Sequence, residues 1–384
     1  MNTDKVKPFI VMDILERALR LEKEGSSIIH LEIGEPDFRT PQSIIDEAVE
    51  SLKKGQTHYT DSRGIIELRN AIASYYSKNY GVNVSEEQVL VTMGSSPGLL
   101  LVLSAIIDSQ SDEVIIGNPC YPCYPNFINF AGGIPRYVET SEEEGFQLNA
   151  RIIKKVLNKR TRAVLINSPS NPSGTLIGRE DMKEIAGLGV PVISDEIYHG
   201  LVYDDKPHSI LEFTDNAFVL NGFSKLFAMT GWRLGYIIAP KEFVRKIHVL
   251  LQNFFISPNS FVQRAAVTAL NEEHPEVEEM KKRYDARRRF LLEKMPELGI
   301  KIPVEPKGAF YLFINMSHIN KDSYNLAIDI LEKEGVAMTP GIDFGSRGEG
   351  FLRLSYANSI ENISEAVRRL KNYIEAKETL QKPS

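Results

Sequence analysis

Between residues 89 and 239, short apolar runs of strand character alternate with stretches of helical spacing. The runs are 89–92, 114–117, 163–167, 190–194, 218–220 and 236–239, and helical patterns fill 99–107, 151–158 and 179–188. Parallel neighbours must be joined by a crossover, usually a helix. The alternation therefore predicts an α/β fold with a mostly parallel sheet between helices. Ser95, Tyr121, Asn171, Asp195 and Lys225 each follow one of these runs. The sheet then gathers them along one edge, where open α/β folds bind ligands.

A helix over 8–24, a strand over 28–31 and the turn Gly34-Glu35-Pro36-Asp37-Phe38 precede this region, with further helices at 41–53 and 65–79. Gly34 lets a ligand approach the backbone closely, or simply serves a connection. Beyond residue 239 the character changes. Helices at 241–251, 261–271 and 275–292 lead to strands 308–314 and 351–356, with helices 324–334 and 360–376. That is a compact α+β lobe, and 384 residues suit a large domain with such a lobe appended. Arg287-Arg288-Arg289 reads as a solvated or interdomain face, and 377–384 as a frayed tail.

A formal net charge of −6 argues against a general nucleic-acid binder. No apolar run reaches the length of a membrane span, and residues 1–9 lack an apolar signal core, so the expected location is cytoplasmic. The two cysteines, Cys120 and Cys123, have no second pair with which to hold zinc. Pro119, Pro122 and Pro125 make their stretch a loop rather than the helix start of a redox motif. No metal site is expected.

The chemistry-bearing residues each allow two readings. Gly94-Ser95-Ser96-Pro97-Gly98, between a strand and a helix, is a phosphate-binding layout without the lysine of a P-loop. Asp195 is either a helix cap or the partner of a buried cation. Asn171, held between Pro169 and Pro172, has a fixed backbone. Lys225 stands between small residues and an apolar segment, and such surroundings weaken an amine's preference for its charged form. An amine of that kind attacks carbonyls. With Ser224 and Arg233 nearby, the stretch offers an amine, a hydroxyl and a guanidinium, the groups that pyridoxal 5′-phosphate (PLP) requires. The same stretch also reads as a strand and an amphipathic turn with solvated charges. Arg353 lies mid-strand among apolar neighbours and needs a carboxylate, from the protein or from a substrate.

Taken in order, His58-Tyr59-Thr60, the Gly/Ser turn, Pro119-Cys120-Tyr121-Pro122-Cys123-Tyr124, Ser168 to Gly174, Asp195-Glu196-Ile197-Tyr198, Gly222 to Tyr236 and Leu352-Arg353-Leu354-Ser355 resemble the class I/II aminotransferases of PLP fold type I. The resemblance covers nearly the whole chain. It implies a large PLP-binding domain at 45–275 and a small domain built from 276–384 with residues 1–44. It implies that Lys225 bonds the cofactor's aldehyde and shuttles the proton, while Asp195 pairs with the pyridinium nitrogen. It implies further that Tyr198 and Asn171 hold the phenolic oxygen and that Tyr121 stacks on the ring. Ser95, Ser96, Ser224 and Arg233 would bind the phosphate. Tyr59 would reach the neighbouring subunit's phosphate, making a homodimer with shared sites. Arg353, helped by Gly34 and Asn171, would grip the substrate's α-carboxylate.

Two departures stand out. Asn171-Pro172-Ser173-Gly174 has serine where threonine is familiar, and Pro97-Gly98 replaces a polar residue and alanine. In addition, Ser96 stands where some aspartate-specific relatives carry lysine, which counts against strict aspartate specificity. The implied activity is ping-pong transfer of an amino group from an L-amino acid to a 2-oxo acid, 2-oxoglutarate first among them. Lyases, decarboxylases and synthases of the same fold keep the cofactor residues. A transcription regulator of this type needs a DNA-binding extension, and none is visible.

Overall fold

The computed structural model describes residues 3–381. Its strands are β1 (Ile29–His30), β2 (Val89–Thr92), β3 (Glu113–Asn118), β4 (Ile134–Glu139), β5 (Thr161–Asn167) and β6 (Val192–Asp195). They continue as β7 (Ala217–Gly222), β8 (Gly235–Ile238), β9 (Tyr311–Asn315), β10 (Val336–Ala337), β11 (Thr339–Pro340) and β12 (Phe351–Ser355). Seven of them form one sheet in the order β2-β8-β7-β6-β5-β3-β4. Every neighbouring pair from β7 to β4 is parallel, while β8 runs antiparallel to both β7 and β2.

The reversal at β8 follows from its connection. Residues 223–234 hold a single short 3-10 turn, Thr230–Trp232, and no crossover helix. Without a crossover the chain returns beside the strand it has just left, in the opposite direction. This hairpin-like return carries Lys225 and Arg233.

Side chains along the central strands alternate between two cores. Val192, Ala217 and Val219 face one, and Ile193, Phe218 and Leu220 the other. Burying each large apolar side chain contributes about 1.5–3 kcal/mol, so both faces demand cover. The helices Ser95–Ile106 and Lys241–Phe255 supply Leu99, Val102, Ile247 and Leu251 to one core. The helices Ile66–Tyr80 and Ser260–Asn271 supply Leu68, Ile72, Val262 and Ala265 to the other.

The C-terminal lobe has a three-stranded sheet, β11-β12-β9, and β10 pairs in parallel with β1. Arg353 lies mid-β12, opposite Thr339 and Phe313.

Several expectations need correction. Cys123 opens a helix, Cys123–Phe130, with Pro122 at its cap, so only Cys120 lies in a loop. Proline is tolerated in a first turn, where its missing N–H has no role. Arg287 and Arg288 are buried, against the solvated reading of that run and in keeping with the interdomain one. Arg287 forks onto both oxygens of Asp37 at 2.8 Å, and Arg288 bonds Asp204 at 2.8 Å and Asp285 at 2.6 Å. Only Arg289 is exposed. The last helix runs from Ile360 to Gln381, so most of the supposed tail is helical, and residues 382–384 lie outside the described residues. Among the described residues no helix is long and apolar enough to cross a membrane.

Candidate active site

A cavity of about 350 Å³ opens at the carboxyl ends of the strands, between the large sheet and the C-terminal lobe. At one end lies an anion cradle. Ser95 and Ser96 begin the helix Ser95–Ile106, earlier than the apolar pattern predicts, because Pro97 and Gly98 fit within its first turn. The first N–H groups of a helix have no intrahelical partner, and the helix dipole adds positive potential there. Arg233 sits beside them in a left-handed conformation, φ 54°, with its Nη1 donating to Thr230 O at 2.9 Å. A Cβ on Gly94 would stand 2.8 Å from Arg233 Nη2, and one on Gly235 would stand 2.7 Å from the Ser95 nitrogen. Gly94 thus leaves room for the guanidinium at the helix terminus, and Gly235 lets its strand lie against the backbone there. Ser224 lines the same cavity.

Lys225 projects from the β7–β8 connection, and its Nζ donates to Gly34 O at 2.6 Å. Burial pulls its pKa down to about 8, and the guanidiniums of Arg353 and Arg233 push the same way against Glu35 and Asp195. The rings of Tyr198 and Phe310 stand 5.9 and 5.8 Å from Nζ. Gly34 has no room for a side chain, because a Cβ would run into the Tyr311 hydroxyl.

Asp195 ends β6. Tyr124 donates its hydroxyl to Oδ2 at 2.7 Å, and the Ile197 N–H reaches Oδ1 at 3.2 Å. Burial raises the carboxyl pKa, while these donors and Lys225 draw it back down. Asp195 is more than a helix cap, since no regular helix follows it. The Tyr198 hydroxyl bonds that of Tyr311 at 2.7 Å.

Arg353 is 4% exposed, and among the described residues it has no carboxylate partner. Nη1 donates to Asn171 Oδ1 at 3.0 Å, and Nη2 to Thr339 Oγ1 at 3.1 Å and to the Glu32 carbonyl. Its Nε is buried without a partner among the described residues. The guanidinium lies 4.5 Å from the Tyr311 ring centre and 5.1 Å from that of Phe344. Neutral acceptors leave the positive charge uncompensated, which suits an arriving anion.

The cleft thus brings together Gly34, Ser95, Ser96, Tyr121, Asn171, Asp195, Tyr198, Ser224, Lys225, Arg233 and Arg353. It does not include Tyr59, which is 80% exposed on a loop outside it. Sequence reasoning missed Tyr124, whose signal was its place in the Cys120–Tyr124 run. It also missed Tyr311, for which an apolar strand offered no polar cue.

The donor set fits PLP. The cradle beside Ser95 and Arg233 suits a phosphate, Lys225 offers an amine, and Asp195 offers a carboxylate in the same cavity.

A family model described as aminotransferase class I and II matches residues 26–370. The chain is 47% identical to a (5-formylfuran-3-yl)methyl phosphate transaminase of Methanocaldococcus jannaschii, over 95% of this chain and 96% of that one. It is 37% identical to an aspartate aminotransferase of Pyrococcus horikoshii, over 96% and 95%. Among solved structures, a Methanococcus jannaschii protein described as similar in its active site to kynurenine aminotransferases superposes with TM-score 0.89 at 46% identity, covering 96% of this chain and 97% of that one. Aspartate aminotransferase from Thermus thermophilus with maleate superposes with TM-score 0.91 at 36% identity, with 96% and 97% covered.

Proposed function

Since the chain belongs to the class I and II aminotransferases and is a transaminase, we propose that PLP binds in the cleft, where an L-amino acid and a 2-oxo acid react in turn. The observation that carries this reading is the Lys225 amine, its pKa drawn down to about 8, in one cavity with Asp195 and the Ser95 helix terminus. When bound, the cofactor supplies an aldehyde for the amine and a ring that takes up electrons as the Cα proton leaves.

The chain's own residues do the rest. The Ser95 and Ser96 N–H groups, the Ser224 hydroxyl and Arg233 bind the phosphate. Asp195 would hold a proton at the pyridine nitrogen, and Tyr124 and the Ile197 N–H fix its carboxylate in place. Tyr198 and Asn171 orient the phenolic oxygen, and Tyr121 covers the ring. Lys225 moves the proton at the substrate's Cα. Arg353 orients the substrate by its carboxylate, beside the Gly34 backbone. Residues 1–44 count with 276–384 as the small domain, a division supported by the β1–β10 pairing. The location is cytoplasmic.

We take 2-oxoglutarate as the first acceptor to test. A second reading has its own support. The cleft wall includes Phe9, Val11, Met12, Tyr121 and Phe127, with Phe9 edge-on to Tyr121 at 6.2 Å. That wall suits a planar ring. The 47%-identical relative is named for a furan aldehyde carrying a phosphate. An aromatic aldehyde bearing an anion would use Arg353 as an oxo acid does. Single-turnover assays of the aminated enzyme with both acceptor types separate the two.

Arg353→Leu should raise KM for amino acid and oxo acid together. Losing a charged hydrogen bond costs ~1.5–3 kcal/mol, or about 10- to 150-fold. The kcat should fall too, because orientation is lost. PLP affinity should hold, since Arg233 anchors the phosphate. Lost PLP with normal KM would mean that the two arginines have been exchanged.

The active form is a homodimer in which Tyr59 reaches the partner's phosphate. The Tyr59 loop is pinned, with Thr60 N–H on Ser257 Oγ at 3.3 Å and Gln263 Nε2 on Thr60 Oγ1 at 3.0 Å, yet the ring itself is exposed. Tyr59→Phe should weaken PLP binding by ~10- to 150-fold, the worth of one hydrogen bond to a charged group. Sedimentation should find a dimer, and a fully active monomer would sink this assignment.

A further inference from the structure

Glu196 follows Asp195 directly but points the other way. Asp195 lines the cleft, whereas Glu196 is 1% exposed and packs behind the sheet edge. A carboxylate taken from water needs partners to offset its lost hydration. No lysine or arginine provides one among the described residues. Neutral donors do instead. Oε1 accepts from Ser194 Oγ at 3.1 Å, Ser209 Oγ at 3.0 Å and the Ile210 N–H at 3.1 Å. Oε2 accepts from the Tyr76 hydroxyl at 3.1 Å and lies 3.4 Å from His199 Nδ1.

These partners come from different elements. Ser194 is on β6, Tyr76 on the helix Ile66–Tyr80, Ser209 and Ile210 at the turn Ile210–Glu212, and His199 on the segment just past Tyr198. The network also reaches the strand before Lys225, because Asn221 Nδ2 donates to the Tyr76 hydroxyl at 3.3 Å. The Glu196 N–H bonds Leu220 O at 2.8 Å, tying the same two strands through the backbone. One buried side chain is therefore braced against the elements that present Asp195, Tyr198 and Lys225.

We propose that Glu196 is a positioning residue for transamination, holding the Asp195–Tyr198 turn in register with the strand that leads to Lys225. This rests on the cofactor site proposed above. The network's other titratable members are consistent with a fixed, uncharged surround. Burial pushes the His199 pKa down to about 3, leaving a neutral imidazole that bonds the Tyr80 hydroxyl at 2.8 Å. Tyr76 and Tyr80 are held protonated by burial.

The test compares holoenzyme of wild type, Glu196→Ala and Glu196→Gln. It reads kcat, KM for the donor, and the pH midpoint of the bound cofactor's visible absorbance. Misplacing Asp195 and Tyr198 should lower kcat in Glu196→Ala by ~10- to 100-fold, move KM less than ~threefold, and shift the absorbance midpoint. Glu196→Gln keeps the shape and an acceptor oxygen, and should recover most of the rate. A Glu196→Ala enzyme with normal kcat and midpoint, and only a lower Tm, overturns the proposal. If that variant does not fold, Ser209→Ala removes one donor and should shift both readouts in the same direction by less. Wild-type values there overturn the proposal equally. The two levels separate through Asp195→Asn. If it too leaves the midpoint unmoved, the cofactor site is misread. If it acts while Glu196→Ala does not, only the role of Glu196 fails.

Discussion

Lys225→Ala should abolish turnover while leaving the fold in place, with a loss on the order of 10⁴-fold or more. The amine is the group proposed both to take the cofactor's aldehyde and to move the Cα proton, and no other lysine among the described residues lines the cleft. Stability should not suffer, because the side chain borders a cavity and, among the described residues, hydrogen-bonds only Gly34 O. The folded-state pKa lies near 8, below the ordinary lysine value of 10.5. The unfolded chain therefore holds more protons between those values, and this group makes the apoenzyme more stable as pH rises through that window. Lys225→Ala should remove that rise. Melting of both apoenzymes across the window checks it, and identical slopes would show that the amine is not desolvated.

Asp195→Asn should lower the rate of Cα deprotonation by ~10²- to 10³-fold, the range found when one preorganised electrostatic partner is removed. Asparagine has nearly the shape of aspartate and keeps an oxygen for the Tyr124 hydroxyl or the Ile197 N–H. What it loses is the charge proposed to keep the pyridine nitrogen protonated. PLP affinity should fall less than the rate, since the phosphate cradle is untouched. Stopped-flow half-reactions with a saturating donor measure the rate directly. Near-normal rates would mean that Asp195 only braces its turn.

How much of this was legible in the sequence depends on what each residue had to announce. Strands β2, β5 and β7 are buried on both faces, so their apolar runs were plain, and the polar residues at their ends stood out. Strand β4 was missed because only Val138 is buried in it and it carries Pro135, as an edge strand can. The direction of β8 depends on a connection that lacks a helix, which apolar patterning does not report. Arg353 was legible as a charge out of place. Arg287 and Arg288 were less so, because Asp37 and Asp204 lie far away in sequence and only Asp285, beside Arg288, is a near neighbour. Tyr59 stood out only through the resemblance, since it is exposed on a loop outside the cleft.

The central claim is that Lys225 carries the cofactor of a transaminase. Reducing the holoenzyme with borohydride, digesting it and locating the pyridoxyl group by mass spectrometry tests that claim most directly. One modified peptide, labelled at Lys225, is expected, and no label when the enzyme is first converted to its aminated form with an amino-acid donor. A pyridoxyl group on any other lysine, or on none, would contradict it.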